Sequence, residues 1–195
     1  MAAPNPTHVM LDLETMGSSP GSAIVAIGAV AFDPVSSLEG ETFYRVIDLA
    51  SSVRAGLTMD ADTVIWWLKQ SPLARHALTG PAEPLDAALA SFSAYWRRVG
   101  GTHLWGHGGG FDEPLLDAAY RAGGQKTPWR YSQARCTRTI FEIAGVQPDR
   151  SQGTHHNALD DARAQAEAVC LAYSVIRIDA KATAPADAAP TVTGA

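Results

Sequence analysis

The chain has 195 residues, 46% of them hydrophobic and 18% charged, with a formal net charge of −5, a composition that builds a packed core and excludes a disordered or collagen-like chain. The acidic balance argues against a generally basic nucleic-acid-binding surface, while leaving room for a local one. The longest apolar stretch, AIVAIGAVAF at residues 23–32, is about half of the roughly 20 residues a membrane span needs, and MAAPNPTH at the start lacks the basic and apolar regions of a secretion signal.

In chain order, HVMLDLE at residues 8–14 reads as a first strand, followed by a turn-rich GSSPGS. Residues 23–32 give a second strand, and ETFYRVIDL at 41–49 a third; the short connections predict an antiparallel meander. Helical patterns follow. DADTVIWWLKQSPLARHAL at 60–78 carries acids in its first turn, and Pro72 predicts a kink or a break into two helices. PLDAALASFSAYWRRVG at 84–100 begins at a proline and ends at a glycine, as helices often do. HLWGH at 103–107 is a short strand, punctuated by GGG before a helix at about 112–122. Further helices are expected near 133–144 and from about 157 to 176. Beyond Asp179 the chain becomes AKATAPADAAPTVTGA, so a single domain is expected over residues 1–178 and a disordered Ala/Pro/Thr-rich tail over 179–195. The whole reads as α/β, a mixed sheet with helical cover. Cys136 and Cys170 lack zinc-ligand spacing and read as small apolar side chains of a protein from a reducing cytoplasm.

Three segments carry acids in suggestive places. Strand side chains alternate with period two, so Asp12 and Glu14 share a face with Met10, opposite Val9, Leu11 and Leu13. Their α-carbons lie about 7 Å apart at a strand rise of about 3.3 Å per residue, close enough to serve one metal cluster. Exposed carboxylates at a strand end are the bland alternative. Asp112, in LWGHGGGFDEPLL, opens a helix after a glycine-rich loop; read alone, helix capping, with Pro114 in the first turn, is the favoured account of it. His156 and Asp161, in HHNALDDARAQAEAV, stand at the start of the last helix, where acids also complement the helix dipole. Taken together, several converging carboxylates repel one another and resist ionisation. Mg²⁺ or Mn²⁺, hard ions that seek oxygen ligands, would offset that repulsion. Two such ions can clamp an in-line phosphoryl displacement, with a neutral imidazole accepting a proton from water.

DLET early, FD after a strand and loop, and HNALDDA near the end resemble the DnaQ-like DEDD exonucleases of the subgroup with a histidine (DEDDh). DLETMG together with IWWLKQS is similar to the exonuclease VIII and phage DexA-type branch. The resemblance spans about residues 8–176. It implies a ribonuclease H-like fold, a mixed five-stranded sheet flanked by α-helices. It also implies two Mg²⁺ or Mn²⁺ ions held by Asp12, Glu14, Asp112 and Asp161, with His156 as general base. The expected reaction is 3′–5′ hydrolysis that releases mononucleotides from a nucleic acid with a free 3′ end. Single-stranded or frayed DNA is the first choice, RNA trimming the alternative, and a non-catalytic nucleic-acid-binding module the reading from another class. Thr15 and Met16 match positions that in this family touch the terminal nucleotide, Met16 as an apolar wedge.

The spacing H-x-A-x-x-D-A selects His156 with Asp161 over the shifted pair His155 with Asp160, which would put Asn157 at the small position. His107, where relatives often carry asparagine, either ends its strand or touches nucleotide, and stays outside the catalytic set. Lys126, Arg130, Arg135 and Arg138 form an acid-free run that is either a phosphate-facing patch or a solvated surface. Of the adjacent Trp66 and Trp67, about 100° apart on a helix, at most one is expected to face a substrate groove. No feature of the sequence fixes the oligomeric state; a homodimer is compatible with it.

Overall fold

A computed structural model of the chain describes residues 6–149, 151, 153 and 156–182. The apolar alternation at the start produces β1 (His8–Thr15), β2 (Ile24–Asp33) and β3 (Leu38–Val46), joined as an antiparallel meander. α1 (Leu49–Arg54), α2 (Ala61–Leu68), α3 (His76–Thr79) and α4 (Leu85–Val99) follow, and the chain then returns to the sheet as β4 (His103–Gly106). α5 (Asp112–Ala122), β5 (Ala134–Cys136), α6 (Thr137–Ala144) and the long α7 (Ala158–Ala182) complete the order. The five strands lie in the order β3-β2-β1-β4-β5, with β4 and β5 parallel to β1. β1 is therefore the central strand, as the mixed-sheet expectation requires.

Several boundaries differ from the sequence reading for local reasons. β3 stops at Val46, because Asp48 accepts the backbone N–H groups of Ala50 and Ser51 and so caps α1, which the sequence did not announce. Within 60–78 the break expected at Pro72 is present, between α2 and α3. The helix expected from 133 starts at Thr137, since Ala134–Cys136 instead pairs with β4. α7 runs past 176 to Ala182; the rest of the expected tail, from residue 183, lies outside the described residues. Both cysteines are free thiols, Cys170 buried and Cys136 half-buried. Among the described residues no helix is long and apolar enough to cross a membrane.

The period-two pattern of β1 divides the core as expected. Val9, Leu11 and Leu13 enter one apolar cluster with Leu89 and Phe92 of α4 and Leu115 and Tyr120 of α5. Met10 enters the other, with Val30, Phe32, Trp105, Phe141 and the α7 residues Ala162, Ala166 and Val169. Asp12 and Glu14 thus stand on the α7 side of the sheet, near the C-terminal end of β1.

What brings α7 to them is an absent side chain. Gly28 on β2 is the register partner of Asp12. A Cβ built there would lie 2.1 Å from the carbonyl carbon of Ala158 and 2.3 Å from the backbone nitrogen of Leu159. The first turn of α7 therefore rests directly on the backbone of β2, and Ala158 itself is fully buried. Such close approach is a standard reason for glycine inside a strand. Overpacking at this contact is expected to cost Gly28→Ala about 1–3 kcal/mol of unfolding free energy. Gly109→Ala, where a Cβ meets nothing within 4 Å, should stay within about 1 kcal/mol of wild type. Urea unfolding of the two variants measures the difference.

Candidate active site

Asp12 and Glu14 arrive on β1, Asp112 on the first residue of α5, and Asp161 on the first turn of α7. Glu14 and Asp112 are buried, 6% and 1% exposed, while Asp12, Asp161 and His156 are half-buried. One ligand atom from each of Glu14, His156 and Asp161 falls within 4.8 Å of the others. A cavity of about 280 Å³ is lined by these three together with Asp12, Thr15, Thr63, Trp66, Trp67 and Phe111. A second cavity, of about 460 Å³, shares Asp12 and Phe111 and is lined further by His107, Gly108, Gly109, Gly110, Asp112, Arg138 and Gln165. Asp12 sits where the two meet.

Each acid is held by a specific device. Asp112 is not the cap of α5: Phe111 occupies the cap position and makes no side-chain capping bond. Instead the Asp112 carboxylate accepts the backbone N–H of His107 at 2.7 Å, tying the glycine-rich loop to the end of β4. Gly106 makes room for it, since a Cβ there would come within 3.0 Å of Asp112 Oδ2. On α7 the cap is Asn157, whose side-chain oxygen accepts from Leu159 and Asp160 N–H groups. That leaves the Asp161 carboxylate to accept the backbone N–H of His156 at 3.2 Å. His156 itself adopts a left-handed backbone, φ 62°, a conformation uncommon outside glycine though less so for histidine. Its ring packs edge-to-face on Trp66, centroids 4.8 Å apart. The neighbouring Trp67 is buried and donates its indole N–H to the Thr15 carbonyl at 2.9 Å. Trp66, at 39% exposed, is the outward member of the pair.

The electrostatics follow from this crowding. Burial raises Asp12 well above the ordinary carboxylate range, and the charges of Asp112, Glu14 and Asp161 push it further, against the hydrogen bond from Gln165. Glu14 is pushed up to about 8, by burial first and then by Asp161 and Asp112. Burial also lifts Asp112, to about 6, although N–H donors from His107 and Leu13 and the charge of Arg138 pull the other way. A cluster in this condition holds protons near neutral pH unless a cation replaces them.

The sequence-predicted residues are therefore brought together, with exceptions. Thr15 lines the first cavity, its hydroxyl donating to the Gly17 carbonyl at 2.7 Å. Met16 does not; it is 4% exposed and belongs to the core cluster under α4 and α5, while Trp66 and Phe111 supply the apolar wall. His155 lies outside the described residues, and Asp160 lines a different depression, with Asp149, Gly153 and Glu167. His107 meets Thr137 Oγ1 at 2.9 Å on the rim of the second cavity. Of the basic run, Arg138 lines that cavity, whereas Arg135 acts on His8 and His103 at the opposite end of the parallel strands. Gln165, fully buried, donates to Asp12 Oδ1 at 2.8 Å and was missed. Its position four residues after Asp161, hence on the same helix face, was the available signal.

Comparison with known proteins identifies a family. The family model described as the 3′-5′ exoribonuclease Rv2179c-like domain matches residues 7–172. An exodeoxyribonuclease of Enterobacteria phage T4 is 28% identical over 124 residues, covering 55% of this chain and 52% of the phage protein. The chain thus spans about half the length of that relative. The nuclease domain of 3′hExo, a DEDDh family member solved bound to rAMP, superimposes with a TM-score of 0.58 at 11% identity, over 89% of this chain and 94% of that one. A 3′-exonuclease solved for 3′-end recognition of histone mRNA stem-loop gives a TM-score of 0.56 at 12% identity, over 88% and 83%. At such identities these two speak to fold alone, a mixed five-stranded, helix-flanked sheet of ribonuclease H-like type. With its match extending over most of its length, the chain belongs to the family of 3′-5′ exoribonuclease Rv2179c-like domains.

Proposed function

We propose that the domain over residues 1–178 is a metal-dependent 3′–5′ exonuclease that releases mononucleotides from a free 3′ end. The observation that carries this reading is the convergence of Asp12, Glu14, Asp112 and Asp161, from three separate parts of the chain, with His156 beside them. Buried carboxylates held above their ordinary pKa are an oxygen donor set short of positive charge, which fits hard divalent cations. We assign Asp12, Glu14, Asp112 and Asp161 as the ligands of two Mg²⁺ or Mn²⁺ ions, whose chemistry when bound is to neutralise the cluster and polarise the phosphate oxygens.

The chain's own residues do the rest. Thr15 and the aromatic faces of Trp66 and Phe111 border the cavity that takes the terminal nucleotide, with Met16 acting from the core behind it. The His156 imidazole accepts the proton of the attacking water, the general-base task for which an imidazole is suited. Because Asp161 accepts the His156 backbone N–H, the base and one proposed ligand keep a fixed relation. Single-stranded or frayed DNA is the first substrate reading, supported by the likeness to the phage exodeoxyribonuclease. RNA is the second, favoured by the family's description as exoribonucleases. Matched DNA and RNA oligonucleotides assayed side by side separate the two.

With Mn²⁺, a 5′-labelled oligonucleotide should shorten to a ladder, and EDTA should stop it; folded protein that leaves the label full-length removes the enzyme reading. Asp12→Ala should abolish hydrolysis while keeping the fold. His156→Ala should slow it by about 10²–10⁴, the usual reach of a general base, and a normal rate in that variant contradicts the assignment.

The raised carboxylates also predict a pH dependence of stability. Groups whose folded pKa exceeds the unfolded one bind more protons in the fold, so their stabilisation is lost as pH rises towards the folded value. Glu14, at about 8 against an ordinary 4.5, carries the effect through neutral pH. Below about 6.5 the buried His8, lowered to about 4, works in the opposite sense. Between about pH 6.5 and 8.5, therefore, the melting temperature in EDTA should fall, and Mg²⁺ should restore more of it at the higher pH. A flat EDTA profile measured by circular dichroism would argue against the crowding.

A further inference from the structure

The second cavity shares Asp12 and Asp112 with the chemistry just described, while the rest of its wall takes no part in it. Its floor is the glycine run that follows β4, where Cβ atoms at Gly109 and Gly110 would meet nothing within 4 Å. Arg138, exposed on the first turn of α6, is the only arginine or lysine among its described lining residues. Its guanidinium carbon lies 3.6 Å from where a Cβ on Gly108 would be, and the φ of +120° at Gly108 is one that glycine readily adopts. Among the described residues Arg138 makes no carboxylate salt bridge. Its charge is instead felt by Asp112. A second polar group faces the same space: Gln165 is 1% exposed and its Oε1 has no hydrogen-bond donor among the described residues. Leaving a buried acceptor unpaired is costly, and its place on the cavity wall points to a ligand that brings a donor.

From this juxtaposition we propose that the second cavity is the subsite for the nucleotide on the 5′ side of the scissile bond, with Arg138 binding that nucleotide's own 5′ phosphodiester. The inference rests on the exonuclease reading. If the terminal nucleotide occupies the first cavity and hydrolysis takes place at the carboxylates around Asp12, the remaining strand leaves on the other side of Asp12. There it runs over the open glycine floor and past Arg138. A floor of four acids repels a polyanion, and a guanidinium at the exit compensates with two parallel N–H donors that match a phosphate. A base N–H, or a ribose 2′-hydroxyl in RNA, would supply the donor for the Gln165 acceptor, which a phosphodiester lacks.

The test compares two substrates of one Mn²⁺-loaded enzyme. A nucleoside 5′-phosphate p-nitrophenyl ester has the scissile phosphodiester and no second one; a 5′-labelled oligonucleotide has both. Arg138→Ala should raise KM about 10-fold on the oligonucleotide, the scale of one charge-assisted hydrogen bond, with the loss confined to substrates that carry the second phosphate. Arg138→Lys should recover part of it. Replacing only the second linkage by a neutral methylphosphonate should cost the wild type a similar factor and cost Arg138→Ala almost nothing further. The proposal is overturned if Arg138→Ala is equally impaired on the ester, which would place its effect at Asp112. It is overturned also if the neutral linkage costs both proteins alike. Wild-type protein that hydrolyses neither substrate defeats the exonuclease reading itself, a result distinct from both.

Discussion

The first turn of α7 lies against the bare backbone of Gly28, and the candidate site depends on that contact. Asp161 and His156 are close to Asp12 and Glu14 only because Ala158 and Gly28 together leave no side chain between helix and strand. A larger residue on either side would lift the helix from the central strand's neighbour and carry both groups with it. The same approach presses four carboxylates into a partly dry space, so the geometry that builds the site also creates its electrostatic conflict. Protons, retained near neutral pH, or divalent cations that displace them are the two ways out.

The remaining supports divide the work between the two sides of Asp12. On one side an aromatic pair, Trp66 and Trp67, links the His156 ring to the carbonyl at the end of β1. On the other, the glycine-rich loop is drawn in by its bond to Asp112 and flanked by α6 and Gln165. One half of the site is thus walled by Trp66, Trp67 and Thr63, the other by the glycine-rich loop, Arg138 and Gln165, with Asp12 and Phe111 shared.

Much of this was legible in the residues. Period-two alternation put Asp12 and Glu14 on one face, and the structure keeps them there because Met10 enters the α7-side cluster while its neighbours enter the other. The spacing in HNALDDA favoured Asp161 over Asp160, and only Asp161 lines the cavity with Glu14. Local chemistry favoured Asp112 as a helix cap; its actual bond reaches back across a loop to His107, which no helical periodicity reveals. β5 spans Ala134–Cys136, too short for any alternation to register. Gly28 was visible as a lone glycine in an apolar strand, but what approaches it is a tertiary fact. Met16 reads as part of a motif, yet the turn after β1 buries it in the core.

The central claim is that this carboxylate cluster carries protons which a divalent cation displaces. Calorimetric titration of Mn²⁺ into metal-free protein at about pH 7, repeated in two buffers of different protonation enthalpy, counts the protons released on binding. The account predicts release of about one proton or more, diminished in Glu14→Gln. Binding with no proton release, or no binding at all by folded protein, would contradict it.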